Sequence, residues 1–145
     1  IKNQNAMLEI ILNILAERSQ KESILLDMDV EERSLHFISD MDLTTIFSNL
    51  LDNAVEACMK LPPEQRWIQL KLEQRMGLIR VRIQNSCLSE EEERKLPRDA
   101  TARSHIGIGL SNVKMTVKKY DGTAEIHRGL ERFDVLLIIP VPNSD

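Results

Sequence analysis

Aromatic side chains are scarce in this sequence, since its 145 residues include one tryptophan, one tyrosine and three phenylalanines. Proteins that bind single-stranded nucleic acids stack the bases on aromatic side chains, and this chain offers few. The net charge is −4 and no long basic patch is present, so the chain is also poorly suited to neutralise a phosphate backbone. We therefore expect no nucleic-acid partner.

Cysteine is equally rare, and neither Cys58 nor Cys87 has a second Cys or a His at the spacing of a metal site. This pattern favours two reduced structural thiols in a cytoplasmic protein over a disulfide or a metal pair. No apolar run reaches about 18 residues, the length of a membrane-spanning helix, and no signal peptide opens the sequence. We expect any membrane attachment to come from segments that precede residue 1.

The residues that are present fit one globular domain, with 42% apolar and 29% charged side chains and a length that supports one core. A helical stripe along the first 20 residues consists of Met7, Ile11, Ile14 and Leu15. This segment resembles the last turns of a longer helix, and a simple N-terminal capping helix is the alternative. We expect the tail of a longer helix at residues 1–20 and a separate domain at residues 21–145.

The following segments alternate between extended and helical patterns. Residues 23–30 predict a strand, and residues 35–39 predict a short second one. A helix is expected to start with Asp42 as its N-cap and to run to about Lys60, where a Pro-Pro pair ends it. Residues 67–85 then alternate strictly around Met76-Gly77 and predict a β-hairpin.

Asn85 is the unusual residue of this hairpin. It falls two residues after Ile83, so its side chain is expected to point to the buried face of the strand. A polar group in that position needs a hydrogen-bond partner.

The second half of the chain begins with a segment rich in charge, residues 87–106, which predicts a loop with one helical turn capped by Ser89. A loop of about 20 residues in a compact domain is usually functional or mobile, and a solvated insertion is the alternative. A second amphipathic helix follows Gly107 and Gly109 and stops at Gly122, and two strands close the chain. The predicted fold class is α/β, as an α+β two-layer sandwich of a mixed sheet packed on helices.

The helix that contains "SNLLDNAVEAC" carries an unusual polar face. A stripe of about 100° is formed by Asn49, Asp52, Asn53, Glu56 and Lys60. Solvated helix faces are normally built from Lys, Glu, Gln and Arg, because asparagine is a weaker helix former. Asparagine and carboxylate oxygens are hard ligands that suit Mg²⁺ together with phosphate and water. On spacing alone, a solvated face and a metal–phosphate surface are equally supported.

The stretch "IGIGL", residues 106–110, places two glycines directly before the next predicted helix. Glycines let backbone N–H groups approach phosphates, and a helix N-terminus adds partial positive charge. No G-K-[ST] follows and no Rossmann turn precedes the glycines. By itself the motif is equally consistent with an ordinary junction between a loop and a helix.

The order of these features resembles the GHKL ATPase family from residue 23 onward. "NLLDNA", residues 49–54, is similar to the N box of its sensor histidine kinases, and "GIGLSNV", residues 107–113, is similar to the G2 box. The resemblance implies a Bergerat-type fold that binds ATP and Mg²⁺ between the N-box helix and a mobile lid, here residues 87–106. It also implies an enzyme that transfers the γ-phosphoryl group of ATP to a histidine.

The resemblance further implies roles for individual residues. Asn53 corresponds to the principal Mg²⁺ ligand, and Asn49 to a supporting ligand or a polar contact. Asn85 stands where the family has an Asp that accepts from the adenine amino group, and Glu56 either polarises the attacking group or orients an asparagine. The other expected nucleotide-binding residues are Lys60, Arg103, Gly107, Gly109, Leu110 and Asn112.

The chain departs from the usual G1 box, D-x-G-x-G, because "IQNSCLS" has Asn85 and neither glycine. Together with "NAVEAC", this departure resembles the peptide-sensing Agr- and Vir-type sensor kinases. Glu56 stands where many histidine kinases have a lysine. A cation for the phosphates is therefore expected from Lys60 or Arg103.

None of the three histidines, His36, His105 and His127, lies in the H-[DE]-x-x-N setting of a phosphoacceptor, and the first and last are expected to be structural strand residues. The resemblance implies an acceptor histidine on the dimerisation helices of the same full-length protein, a homodimer. Residues 1–20 would then be the tail of the dimerisation helix, and a response regulator would be the next partner. Two alternatives stay open. They are a GHKL serine kinase of the anti-sigma type and a non-catalytic nucleotide-binding module with a degenerate G1 box.

Overall fold

The computed structural model describes residues 6–31, 35–97 and 100–143, and for residues 100–108 it describes the backbone only. The elements, in chain order, are α1 (Ala6–Lys21), β1 (Leu25–Val30), α2 (Asp40–Met59), β2 (Trp67–Arg75), β3 (Leu78–Ser86), α3 (Glu90–Arg94), α4 (Ala100–Lys118), β4 (Thr123–Arg128) and β5 (Arg132–Pro140). A 3-10 turn at Pro63–Gln65 joins α2 to β2. Within the described ranges, no helix has the length and apolar character needed to cross a membrane.

The five strands form one mixed sheet in the order β1-β2-β3-β5-β4, in which β1 is parallel to β2 and the other neighbours are antiparallel. Alternate apolar side chains of the three central strands are buried beneath the helices: Ile68, Leu70, Leu72, Ile79, Val81, Ile83, Val135, Leu137 and Ile139. The intervening side chains of β2 and β3 face solvent, among them Gln69, Lys71, Arg80 and Arg82. Helices and sheet thus form two layers, and the predicted fold class is confirmed.

The β2–β3 hairpin turns at Met76-Gly77, as predicted. Both residues have positive φ angles, 53° and 79°, the combination of a type I′ turn, whose twist matches that of the flanking strands. The resulting register pairs Asn85 with Ile68. Asn85 is only 1% exposed, so its predicted inward direction is confirmed.

Helix α2 begins earlier than predicted. Its N-cap is Ser39, whose Oγ accepts a hydrogen bond from the N–H of Asp42 at 3.1 Å. The predicted strand at residues 35–39 is wrong, because this segment turns into the cap instead. Asp42, predicted to be the N-cap, is buried and accepts hydrogen bonds from Lys119 Nζ at 3.0 Å and from the Tyr120 hydroxyl. The predicted end at Lys60 is confirmed.

These contacts make Asp42 a link between the start of α2 and the end of α4. The hydrogen bond from Tyr120, supported by Lys119 and Ser39, holds the pKa of Asp42 below its ordinary value of 3.8. A carboxyl whose pKa is lowered by folding stabilises the fold above its unfolded pKa, and this stabilisation is lost as the pH falls through the folded pKa.

We expect Asp42→Asn to lower the free energy of unfolding by about 2 kcal/mol at pH 7, because hydrogen bonds to a charged group are lost. The difference from wild type should begin to shrink as the pH falls below the unfolded pKa of about 3.9, and it should vanish only below the lowered folded pKa, where the wild-type carboxylate is also protonated. Urea denaturation at pH 7 and at lower pH values measures the effect. The control is Asp40→Asn, at an exposed position in the same helical turn, whose free energy of unfolding should change with pH as in wild type. If the free energy of unfolding of Asp42→Asn also changed with pH as in wild type, the role given to the Asp42 carboxylate would be contradicted.

Helix α1 packs against α2 and joins the common core through Leu8, Ile11, Leu12 and Leu15. Ile14, predicted to share this face, is 51% exposed. On the side of α1 that meets α2, Arg18 Nη1 lies 2.8 Å from Asp52 Oδ1. The boundary near residue 20 between a helical tail and the domain stays a prediction.

The end of α4 depends on Gly122, although this glycine does not adopt the left-handed conformation that is common at helix ends. The left-handed residue is Asp121, with φ of 62°, and Gly122 donates its N–H to the carbonyl of Val117 at 3.1 Å. A Cβ atom on Gly122 would lie 2.7 Å from Val117 Cγ1 and 2.8 Å from the carbonyl oxygen of Ile138. The predicted stop is confirmed, and its physical cause is the close approach of α4 to β5.

Candidate functional site

An open pocket of about 440 Å³ lies where the C-terminal half of α2, the end of β3, α3 and the β4–β5 hairpin meet. Its described lining consists of Asn53, Lys60, Cys87, Glu90, Glu93, Arg94, Arg128 and Phe133. Two of these residues, Asn53 and Lys60, were predicted as site residues. Both belong to the polar stripe of α2, so the pocket opens along that face of the helix.

Asn53 is half-buried in the wall of this pocket. Among the described residues its side-chain amide makes no hydrogen bond, in contrast to the amides of Asn49 and Asn85, which donate to backbone carbonyls. A half-buried amide directed to a pocket rather than to the backbone is free to bind a ligand or a metal-bound water. This placement agrees with the predicted role of Asn53.

Asn49 lies one turn earlier on α2 and faces α4. Its Nδ2 donates to the carbonyl of Thr45 at 2.7 Å, which fixes the orientation of the amide. A Cβ atom on Gly109 would lie 3.2 Å from Asn49 Oδ1, so the glycine permits the close approach of the two helices. The N-box-like and G2-box-like motifs, predicted from separate parts of the chain, therefore meet in space.

The glycine motif itself is not where the sequence predicts it. Gly107 and Gly109 lie inside α4, which begins at Ala100, so the predicted helix N-terminus at the glycines is wrong. The residues before them, "ATARSHI", include helix formers that extend the helix in spite of the cost of a glycine, about 1 kcal/mol. Within the predicted loop over residues 87–106, the helical turn capped by Ser89 is confirmed as α3. The stretch from Ala100 onward belongs to α4 instead of a loop, and the function of this segment as a lid stays a prediction.

Asn85 lies at the end of β3 beside the pocket, although it is not among the lining residues. Its Nδ2 donates to the carbonyl of Ser86 at 2.9 Å, which supplies the expected partner. Across the sheet its register partner on β5 is Phe133, which lines the pocket together with Cys87. With its donor engaged, Asn85 has its amide oxygen left as the acceptor for a ligand.

The two thiols are free and buried, as predicted. Burial raises the pKa of Cys58 and of Cys87, so both are neutral at physiological pH and behave as structural groups. Cys58 Sγ lies 3.5 Å from the carbonyl oxygen of Trp67. In the described part of the chain, no cluster of three or more His, Cys, Asp or Glu side chains could hold a metal ion.

A cation–carboxylate cluster borders the pocket. Lys60 Nζ lies 2.9 Å from Glu93 Oε2, and Arg128 Nη2 lies 3.1 Å from Glu93 Oε1. Lys60 was predicted to supply a cation. Arg128 was not, and no local pattern marks it, because it ends β4 and reaches the pocket only through the pairing of β4 with β5. Phe133 is half-buried on β5, and only the packing shows that it forms part of the pocket wall.

The remaining predicted site residues are dispersed. Glu56 is half-buried on α2 and Leu110 is half-buried on α4, whereas Asn112 is exposed. None of these three lines the pocket. The side chains of Arg103 and His105 lie outside the described part of the structure, which gives only the backbone there. His36 lies in an exposed turn and His127 is exposed on β4, so the prediction of a structural strand histidine is wrong for His36.

Comparison with known proteins places these features in context. A family model described as GHKL domain matches residues 38–140. The fold is similar to the catalytic domain of the histidine kinase ThkA, with a TM-score of 0.68 and 20% identity over 94% of this chain and 91% of that chain. It is also similar to the Acinetobacter baumannii histidine kinase AdeS, with a TM-score of 0.65 and 16% identity over 95% of this chain and 64% of that chain.

A third similar structure is the histidine kinase domain of the Erythrobacter litoralis EL346 blue-light activated histidine kinase, with a TM-score of 0.65 and 15% identity over 93% of this chain and 61% of that chain. No curated protein sequence matches this chain. The structural similarities show the fold, and the family model covers most of the chain.

Proposed function

This chain belongs to the GHKL domain family, and from that premise we propose that it binds Mg-ATP and serves as the catalytic domain of a sensor histidine kinase. The reaction is transfer of the γ-phosphoryl group to a histidine outside these 145 residues. We further propose that the kinase belongs to the peptide-sensing Agr- and Vir-type subfamily, because Asn85 replaces the G1 aspartate.

One observation carries this proposal. Helices α2 and α4 approach so closely at Asn49 and Gly109 that a Cβ atom on Gly109 would lie 3.2 Å from Asn49 Oδ1, and Asn53, one turn from Asn49, lines the pocket. The sequence separates these residues by more than 50 positions, and the fold unites them. An accidental polar helix face would not be expected to meet the one glycine-rich motif of the chain.

The donor set fits magnesium. Mg²⁺ typically takes one or two protein oxygens and completes its shell with water and substrate phosphates, and Asn53 supplies an unengaged amide oxygen at the pocket. When bound, the ion would offset the negative charge of the phosphates. The hydrogen bond to the carbonyl of Thr45 fixes the orientation of the Asn49 amide, and Asn85 would offer its oxygen to the adenine amino group. The protein's contribution to phosphoryl transfer is then positioning and electrostatic stabilisation.

The partners are proposals of the same kind. We propose that α1 adjoins the dimerisation helices of a cytoplasmic homodimer that phosphorylates a response regulator. In support, α1 exposes two large apolar side chains, Ile10 at 53% and Ile14 at 51%, which a helical partner could cover.

We expect calorimetric titration of the domain with Mg-ATP to show binding at sub-millimolar nucleotide, and the affinity to fall when EDTA removes the metal, since the metal links nucleotide and protein. Absence of binding at about 1 mM Mg-ATP would contradict the proposal. A binding domain that never forms acid-labile phosphohistidine when joined to its dimerisation helices would be a non-catalytic module. Phosphoserine on a partner protein would instead identify a serine kinase.

A further inference from the structure

Strand β1 is one of the two edge strands of the sheet, and its outer side carries main-chain groups that no strand pairs. Leu25 and Glu31 donate their N–H groups to carbonyls on the β2 side, each at 3.0 Å. Because main-chain groups alternate in direction along a strand, every second residue between these two points away from β2. These residues are Leu26, Met28 and Val30. Among the described residues, none bonds to their N–H or C=O groups.

The two faces of β1 differ in chemistry. Leu26 and Val30 pack against the hydrophobic core, and Met28, on the same face, is 38% exposed because no strand lies beside it. Asp27 and Asp29 point to the opposite face and are exposed. Both border an open cavity of about 380 Å³ on the outer face of the sheet. The edge thus offers an apolar surface on the helix side and two carboxylates on the other side.

The carboxylates of Asp27 and Asp29 form no ion pair within the described part of the chain. The wall of the cavity includes two cations, and both are directed to other carboxylates at 3.8–3.9 Å: Lys71 to Glu73 and Arg82 to Asp134. The free edge of β1 is therefore bordered by negative charge that the domain itself does not neutralise.

We propose that the free edge of β1 binds an extended segment of a partner protein by strand addition, and that this segment alternates basic with apolar residues. Main-chain hydrogen bonds supply the affinity in this mode of recognition, and alternate side chains supply the specificity. The basic side chains would face Asp27 and Asp29, and the apolar ones would cover Met28. The inference is independent of the proposed function, since the described lining of the pocket beside Asn53 includes no residue of β1.

A second copy of this chain is disfavoured as the occupant. Two β1 strands paired antiparallel about Met28 would place Asp27 directly opposite the second copy's Asp29, and like charges in that position are destabilising. The other edge strand, β4, lacks this charge pattern. Its single carboxylate, Glu125, lies 3.6 Å from the His127 imidazole. A basic segment therefore fits β1 better than β4.

The test uses a fluorescent, blocked hexapeptide of alternating lysine and valine, which matches the six residues of β1. Fluorescence anisotropy at about 0.1 M salt, where distant charges are screened, measures its affinity, and NMR-detected hydrogen exchange follows the amides of β1. Asp27→Asn/Asp29→Asn removes the two carboxylates. Glu64→Gln/Glu91→Gln removes two exposed carboxylates from other elements and is the matched control. A second peptide, methylated at every backbone nitrogen, keeps the side chains but donates no main-chain hydrogen bonds.

We expect wild type to bind the lysine–valine peptide with a Kd below about 1 mM, and the amides of Leu26, Met28 and Val30 to become protected from exchange. Asp27→Asn/Asp29→Asn should bind about fivefold more weakly, because exposed ion pairs are individually weak. Raising the salt concentration should weaken binding to wild type more than binding to this variant. The control variant should bind as wild type does, and the methylated peptide should not bind.

Absence of peptide binding by wild type, or protection confined to amides outside β1, would overturn the inference. Equal weakening in the two double variants would also overturn it, because the attraction would then come from net charge. If Asp27→Asn/Asp29→Asn self-associates in sedimentation velocity while wild type binds no peptide, the carboxylates only protect the edge from aggregation. None of these results bears on Mg-ATP binding, so the proposed function stands or fails separately.

Discussion

Asn53→Ala is expected to weaken the Mg-dependent binding of ATP at least about 100-fold. Loss of groups that merely support a metal ligand costs about 10–100-fold in affinity, and Asn53 is proposed to be the ligand itself. Its half-buried amide lines the pocket, and alanine leaves no oxygen in its place. Calorimetric titration with Mg-ATP measures the loss, and circular dichroism checks that α2 remains folded.

The neighbouring residue provides the control. Asp52 directs its carboxylate to Arg18 on α1 at 2.8 Å and not to the pocket. Asp52→Asn should therefore keep the affinity for Mg-ATP within about twofold of wild type, because a solvent-exposed ion pair contributes little. Equal losses of Mg-ATP affinity in Asn53→Ala and Asp52→Asn would show that any change on this face of α2 weakens binding. Wild-type affinity in Asn53→Ala would refute the role of Asn53 as a ligand.

Gly122→Ala is expected to destabilise the fold by about 3 kcal/mol, the upper part of the range for overpacking. The added methyl group would lie 2.8 Å from the carbonyl oxygen of Ile138 and 2.7 Å from Val117 Cγ1. The backbone oxygen belongs to a paired strand, so it has little freedom to yield. The φ angle of Gly122 lies outside the left-handed region, and the expected loss is therefore steric alone.

Gly129→Ala is the control that lacks this steric clash. The nearest atom to a Cβ on Gly129 is the carbonyl oxygen of Arg132 at 3.4 Å, an ordinary contact. Alanine there should leave the free energy of unfolding unchanged or raise it by about 0.5 kcal/mol, since it restricts the unfolded chain. Urea denaturation of both variants measures the difference. A loss of similar size at both glycines, or none at Gly122, would contradict the packing argument.

The strands and the β2–β3 hairpin could be predicted because their pattern is local. Side chains alternate between the faces of a strand with period two, so Ile68 to Ile83 could be sorted into buried and exposed positions residue by residue. The inward direction of Asn85 followed from the same count. The capped turn at Ser89 was predictable because a capping box needs only residues three apart.

The start of α2 and the position of the glycines could not be predicted in this way. Ser39 and Asp42 are both good N-caps, and the choice between them depends on Lys119 and Tyr120, which follow α4 and donate hydrogen bonds to Asp42. Gly107 and Gly109 are typical of a loop, yet α4 continues through them, and Gly109 packs against Asn49. Propensity is a weak signal where two helices meet.

The sequence by itself determined the two motifs, their order, the two-layer fold and the oxygen-rich face of α2, because these follow from residue types and short-range periodicity. Only the tertiary structure decided how that face divides. Asp52 turns to Arg18 of α1 and Asn53 turns to the pocket, about 100° apart on the helix, and the packing of α1 on one side separates them. It likewise brought Arg128 to the pocket beside Glu93, since the pairing of β4 with β5 places Arg128 next to Phe133, and no short spacing in the chain predicts the approach of Arg128 to Glu93.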